Sequence, residues 1–259
     1  MGPLMVAYGG GINSTAMLVG MAERGIIPDA ILFADTGGER PETLAYVAMV
    51  SDWCVAHGMP AIVTVNGAKK YESLEAECLG SETLPCIAYG FKRCSLKWKV
   101  EPQEQWARRW QPAIDAWQRG EQVQKAIGYH AGEVHRSVKA TDKAYAYRYL
   151  LREWGWFQED CVAAVTRAGL PKAGKSACFF CPSSKPREIL ELQDRHPDLF
   201  ERALTIERKA RESGNLQTVK GLGRNWAWET FVDFQGRQCA LPFGDTEAPC
   251  GCYDGEDGD

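Results

Sequence analysis

An α/β fold, a parallel sheet with helices on both faces joined to a smaller helical unit, is the architecture this sequence predicts, and three observations predict it. Four short apolar runs recur in the first half of the chain: "MVAY" at 5–8, "AILFADT" at 30–36, "AIVTV" at 61–65 and "KAIGY" at 125–129. Each is separated from the next by a segment long enough for a helix, and strands joined through helical crossovers lie parallel. After Arg152 the pattern changes to helices and cysteines. The expected division is a sheet-bearing domain over 1–150 and a helical, cysteine-containing C-terminal unit over 151–259 that ends in an acidic tail.

Each element follows from local chemistry. Met5 to Tyr8 is apolar throughout, as a strand covered on both sides requires. Gly9, Gly10 and Gly11 make a turn, and Ser14 to Arg24 reads as a helix closed by Gly25, with Pro28 just beyond. The stretch "PETLAYVAMVSDWCVAHG" has Pro41 at the first helical position, where a missing N–H costs nothing, and Gly58 past its end. Glu101 to Arg119 reads as one long helix whose Trp106, Trp110, Ile114 and Trp117 recur at helical spacing and should pack on the core.

Composition narrows the classes of function. With 259 residues, 45% hydrophobic and 25% charged, the chain can build one large core or two unequal ones. A net charge of −4 argues against coating nucleic acid by bulk charge, and Asp254, Glu256, Asp257 and Asp259 make the end of the chain a solvated tail. No run approaches the roughly 20 apolar residues of a membrane helix, and no basic stretch leads into an apolar block, so the expected location is the cytoplasm. Ten cysteines in a reducing compartment point to metal or redox chemistry instead of disulfides.

The glycine turn is the first candidate site. A strand, a glycine-rich turn and a helix start bring free backbone N–H groups and the positive end of a helix dipole to one point, which suits a phosphate. Asn13 and Ser14 stand where a helix N-cap belongs, one to satisfy backbone donors and the other to reach the anion. A Walker A loop would end this turn in Gly-Lys-Ser/Thr, and Asn13-Ser14-Thr15 stands there instead. A dinucleotide fingerprint starting at Gly9 and Gly11 would need a third glycine where Ser14 stands, although Asp35 falls near the place of a ribose-binding acid. A third reading fits better: "GGGINST" resembles the Ser-Gly-Gly-x-Asp-Ser-Thr PP-loop of the adenine nucleotide alpha-hydrolase-like superfamily. Gly10 and Gly11 match its glycine pair, and Ser14 and Thr15 its hydroxyls; Gly9 replaces the usual Ser and Asn13 the usual Asp.

Three further stretches carry a resemblance to the phosphoadenosine phosphosulfate (PAPS) reductase-like family. "ADTGGERPETLAYV" is similar to its Asp-Thr-Gly-x-x-x-Pro-Glu-Thr-Leu segment, which implies that Asp35, Thr36 and Gly37 lie beside the adenosine. "GYHAGEVHRS" resembles its Gly-x-x-x-x-Glu-x-x-Arg loop through Gly128, Glu133 and Arg136, with His130 and His135 as metal, acid–base or simply solvated groups. "RCSLKWKVEP" resembles the Cys-Cys-x-x-Arg-Lys-x-x-Pro segment of adenylylsulfate reductases, with Arg93 in place of the first cysteine and Cys94 near the second. Read by spacing alone, the Cys-x-x-Cys of Cys178 and Cys181 suits a zinc site, a redox dithiol or half a cluster site.

The resemblance implies a [4Fe–4S] cluster on Cys94, Cys178 and Cys181, with zinc as the alternative and a fourth ligand sought in "APCGCYDG", where Cys252 is the metal candidate. It implies an ATP-binding enzyme with magnesium, in which Asn13 takes the place of the PP-loop acid. Such an enzyme would adenylate a substrate and transfer sulfur to it, with a sulfur donor protein as partner. The acceptor could be nucleic acid, held by Lys92, Arg93, Lys97, Lys99, Arg108 and Arg109 with Phe91, Trp98 and Trp106 among them. Two alternatives share the fold: a sulfonucleotide reductase that releases sulfite, with Cys250 as attacking thiol, and a non-catalytic nucleotide-binding module.

Overall fold

The computed structural model describes residues 2–67, 70–136 and 142–235; Cys239, Cys250, Cys252 and the acidic tail lie outside the described residues. Five strands, β1 (Leu4–Tyr8), β2 (Ala30–Asp35), β3 (Ile62–Asn66), β4 (Val123–Ile127) and β5 (Tyr145–Arg148), form one sheet in the order β3-β2-β1-β4-β5. Every pairing is parallel, with Val6 opposite Ile31 on one side and Ala126 on the other. The order reverses between β1 and β4, so a crevice opens outside the carboxyl ends of those two strands.

Both faces of the sheet are covered, as the alternation of strands and helices requires. Val6, Tyr8, Ile31 and Phe33 pack under α1 (Ile12–Glu23) and α2 (Pro41–Ala56). Met5, Ala30, Leu32 and Val123 face the other way, against α5 (Glu101–Ala107) and α6 (Gln111–Gln118), with Trp106, Trp110 and Trp117 partly buried there. The tryptophans therefore serve the core. The expected single helix over 101–119 is broken at Arg108–Trp110, because Pro112 in the first turn of α6 has no N–H to continue a preceding helix. Ahead of α5, α3 (Leu74–Ser81) is followed by the short α4 (Arg93–Ser95), which runs through a π-helical turn at Leu96–Val100.

The change of pattern after Arg152 does not coincide with a change of core. Both α7 (Leu150–Glu153) and α8 (Gln158–Arg167) lie with the sheet, and Leu150, Leu151, Cys161, Ala164 and Val165 share the core of α1. Gly20 makes this packing close, since a Cβ there would sit 2.4 Å from the Trp154 ring. A second core begins later, where α9 (Pro186–Arg195), α10 (Pro197–Glu212) and α11 (Trp228–Gln235) enclose Phe179, Phe180, Ile189, Leu204 and Trp228 together with Leu74, Cys78 and Trp98. The cysteine loop belongs to this second core. Among the described residues no helix is long and apolar enough to cross a membrane.

Candidate functional site

At the reversal of strand order lies a cleft of about 290 Å3. Gly9, Gly11, Asn13 and Ser14 from the end of β1 and the start of α1 line it, facing Ile127, Gly128, Tyr129, Glu133 and Arg136 from the end of β4. Lys99, Gln158, Gly174, Lys175 and Ser176 complete it. Gly128 makes the approach of the two strands tight: a Cβ there would stand 2.8 Å from Ser14 Cα and 2.9 Å from Ser14 N.

The helix start differs from the sequence expectation. Gly11 is the N-cap of α1 and no side chain caps the helix, so the role expected of Asn13 or Ser14 is not filled by either. Ser14 Oγ donates back to the Gly11 carbonyl at 3.0 Å and accepts the Gly9 N–H at 3.2 Å. Its hydroxyl thus braces the turn. The first intrahelical bond runs from Thr15 N–H to Gly11 O, which leaves the first-turn amides of Ile12, Asn13 and Ser14 without intrahelical acceptors. An uncapped helix start with open donors at a cleft is suited to an anion.

Not every motif residue faces the cleft. Gly10 sits behind it at φ +73°, where a side chain is disfavoured and a Cβ would meet Phe33, Thr43 and Val47 at 3.2–3.4 Å. Thr15 is fully buried and bonds Gly11 O and Tyr8 Oη, each at 3.0 Å. Burial carries the Tyr8 hydroxyl well above its ordinary range, so it stays protonated. Asp35 Oδ1 accepts the Gly37 N–H at 2.8 Å and closes the turn after β2.

On the far side of that turn is a second, apolar cavity, and it gathers the cysteines. Cys94, Cys178 and Cys181 line it together with Thr36, Leu74, Pro85, Ile87, Phe180 and Lys99. Thr36 Oγ1 lies 3.1 Å from Cys178 Sγ, and the Phe179 N–H donates to Gly38 O at 2.8 Å, so the β2 turn and the cysteine loop are held together. Gly38 is required by this contact: a Cβ would stand 2.7 Å from the Phe180 ring. Phe179 and Phe180, edge to face at 4.7 Å and both fully enclosed, anchor the Cys-x-x-Cys in the second core. Burial and the neighbouring Glu39 carboxylate push the Cys178 thiol well up, against the pull of Lys99. Burial raises Cys94 as well. Among the described residues no three His, Cys, Asp or Glu side chains converge closely enough to hold a single metal ion.

Lys99 connects the two cavities, since it lines both. It stands on the π-helical turn, a distortion often found where a side chain must be redirected. Its ammonium is 3.6 Å from Glu39 Oε1, and Glu39 Oε2 is buried without a hydrogen-bond partner. The basic stretch around it is otherwise partly neutralised: Lys97 pairs with Glu77, Trp98 Nε1 donates to Glu77 at 2.6 Å from a buried position, and Arg108 lies 3.7 Å from Glu104. Phe91, 64% exposed, is the aromatic of that stretch turned to solvent. In the sequence Lys99 reads only as one of the surface bases and Lys175 and Ser176 carry no expectation, although "KAGKS" stands one residue ahead of the first cysteine of the pair.

Fold and site together define an open parallel α/β protein with a cleft at its switch point, where a helix start leaves backbone donors open, and a thiol-lined cavity beside it. No protein-family model matches the chain, and no curated protein matches it. Among solved structures, the U34-tRNA thiolase NcsA from Methanococcus maripaludis, determined with its [4Fe–4S] cluster, aligns at 17% identity with a TM-score of 0.43, over 96% of this chain and 78% of that one. A likeness of that size carries no inference about function.

Proposed function

We propose that the chain is an ATP-using sulfur-transfer enzyme of the PAPS reductase-like PP-loop type. One observation carries the reading: the cleft under the glycine turn and the thiol-lined cavity meet at Lys99. The nucleotide's terminal phosphates would lie on the first-turn amides of α1, with Arg136 on the opposite wall. Pyrophosphate is then the leaving group, held as its charge grows, and the α-phosphate faces the interior of the cleft. An acceptor oxygen attacks the α-phosphorus and pyrophosphate departs; sulfur then attacks the carbon that bears this oxygen, and the C–O bond breaks as AMP leaves with the oxygen.

Cys94, Cys178 and Cys181 would hold three corners of a [4Fe–4S] cluster. Three thiols from two segments around one apolar cavity supply the convergence of thiolates that such a cluster's ligands need. When bound, the cluster supplies iron to carry sulfur. The surrounding residues do the rest: Phe180, Ile87 and Leu74 exclude water, and Lys99 provides positive charge between sulfur and phosphate. A nucleic-acid acceptor would approach past Phe91, Lys92 and Arg93.

The test is anaerobic purification followed by turnover with ATP, magnesium, sulfide and a set of RNA and DNA acceptors. Iron and sulfide should be present, and AMP with pyrophosphate should form instead of ADP. Zinc without iron would sink the cluster assignment. Sulfite released from a sulfonucleotide, with no AMP from ATP, would make the protein a reductase.

A further inference from the structure

The side chain of Asn13 occupies a position that the rest of the cleft leaves incomplete. Its Nδ2 donates to Glu133 Oε2 at 3.2 Å. Glu133 is itself 2% exposed; its Oε2 also accepts the His130 backbone N–H at 3.0 Å, and its Oε1 accepts from the Arg136 guanidinium at 2.5 Å. The His130 ring adds to the same arrangement. Nδ1 accepts the Gly132 N–H at 3.1 Å, so the ring proton of the neutral imidazole is on Nε2, 3.5 Å from Glu133 Oε2.

A carboxylate surrounded by donors has only acceptor atoms to offer, and an amide can face it only through its NH2. Glu133 therefore fixes which way the Asn13 amide points. The oxygen, Asn13 Oδ1, is turned the other way, and it is buried with no hydrogen-bond partner while Asn13 lines the cleft. A bare acceptor beside amides that hold an anion would repel phosphate oxygens, which are acceptors too. A donor placed between them removes the conflict.

We infer that Asn13 is a ligand contact for a hydrogen-bond donor that arrives with the phosphates, and that Glu133 is the positioning residue that aims it. The donor is either a water in the shell of a divalent cation or a hydroxyl or amine of the nucleotide itself. This rests on the reading of the cleft as a nucleotide site. It also accounts for the residue type: an aspartate at position 13 would set a second carboxylate against Glu133, and like charges at that distance oppose each other.

Calorimetric titration with ATP, in magnesium and in EDTA, tests the contact. Asn13→Ala should weaken binding by up to about tenfold, the worth of one neutral hydrogen bond. A loss seen only with magnesium assigns the donor to the cation's water, and an equal loss in both assigns it to the nucleotide. Asn13→Asp should weaken binding further and lower the melting temperature. The double variant Asn13→Asp with Glu133→Gln removes the like-charge conflict and should recover part of both losses, the new NH2 still meeting the His130 backbone N–H that Glu133 Oε2 accepts. Wild-type affinity in Asn13→Ala under both conditions overturns the contact, and a double variant no better than Asn13→Asp overturns the positioning role. A wild-type chain that binds no ATP removes the nucleotide reading and the contact with it, while the melting temperatures of the two variants still decide whether Glu133 positions Asn13.

Discussion

Replacing Gly128 by alanine perturbs the junction on which the cleft depends. The added Cβ would stand 2.8 Å from Ser14 Cα, 2.9 Å from Ser14 N and 3.2 Å from the Asn13 carbonyl carbon. All three are backbone atoms, so no side chain can rotate away. Reaching ordinary contact near 3.4 Å requires the β4 turn and the start of α1 to separate by about 0.6 Å. Strain of this kind costs about 1–3 kcal/mol of stability. The effect on binding is separate and larger in proportion. An amide-to-phosphate bond near 2.9 Å that lengthens by about 0.6 Å is essentially lost, and each such bond to a charged group is worth about 1.5–3 kcal/mol. Losing one weakens ATP by roughly 10- to 150-fold. Thermal melting reports the first term, and calorimetry on protein shown to be folded reports the second. A folded Gly128→Ala chain that binds ATP with wild-type affinity would refute the placement of phosphates at this junction.

Other substitutions separate the roles of neighbouring residues. Gly10→Ala forces a side chain into φ +73° and against Phe33, and should cost about 1–2 kcal/mol or more in a melt, whereas Gly11→Ala, extended at φ −107° and meeting only the Ser176 hydroxyl at 3.3 Å, should leave stability nearly unchanged. Glu207→Gln should destabilise by about 2–4 kcal/mol in urea, because the fully buried carboxylate accepts the N–H groups of Leu222, Trp228 and Glu229 at 2.7, 2.9 and 3.1 Å; a change below about 1 kcal/mol would show that the loop after α10 does not depend on it. Burial pushes the Cys54 and Cys161 thiols from an ordinary value near 9 up to about 12. The unfolded chain ionises them first, so their contribution is complete below pH 9 and is lost as pH rises toward 12, by up to ~1.4 kcal/mol per pH unit each. Urea midpoints measured from pH 8 to 10.5 should fall with that slope and fall less in Cys54→Val, and both thiols should resist alkylation at pH 8.

The strands and helices flanking the glycine turn are legible in the sequence because their signals are local. Apolar runs of four to seven residues, Pro41 and Gly58 at the two ends of one helix and Gly25 past the end of another fix where elements begin and end. The spacing of Cys178 and Cys181 and the run of Gly9 to Gly11 mark chemistry in the same local way. β5 escaped because four residues of "YAYR" are too short to show a period, and its place at the sheet edge depends on pairing with β4. The allotment of α7 and α8 to the sheet core was equally hidden, since helix composition does not state which surface a helix covers.

What the sequence alone determined is the parallel α/β class, the turn that leaves donors open, and the residue types at both cavities. Only the tertiary structure decided which of those residues face one another. It turned Thr15 toward Tyr8, faced Asn13 with Glu133, brought Cys94 within reach of a loop more than eighty positions away, and set Lys99 between the two cavities. The physical reason is that capping, turns and spacing act over a few residues, whereas burial, charge pairing and the close approach of Gly128 to Ser14 depend on segments far apart in the chain.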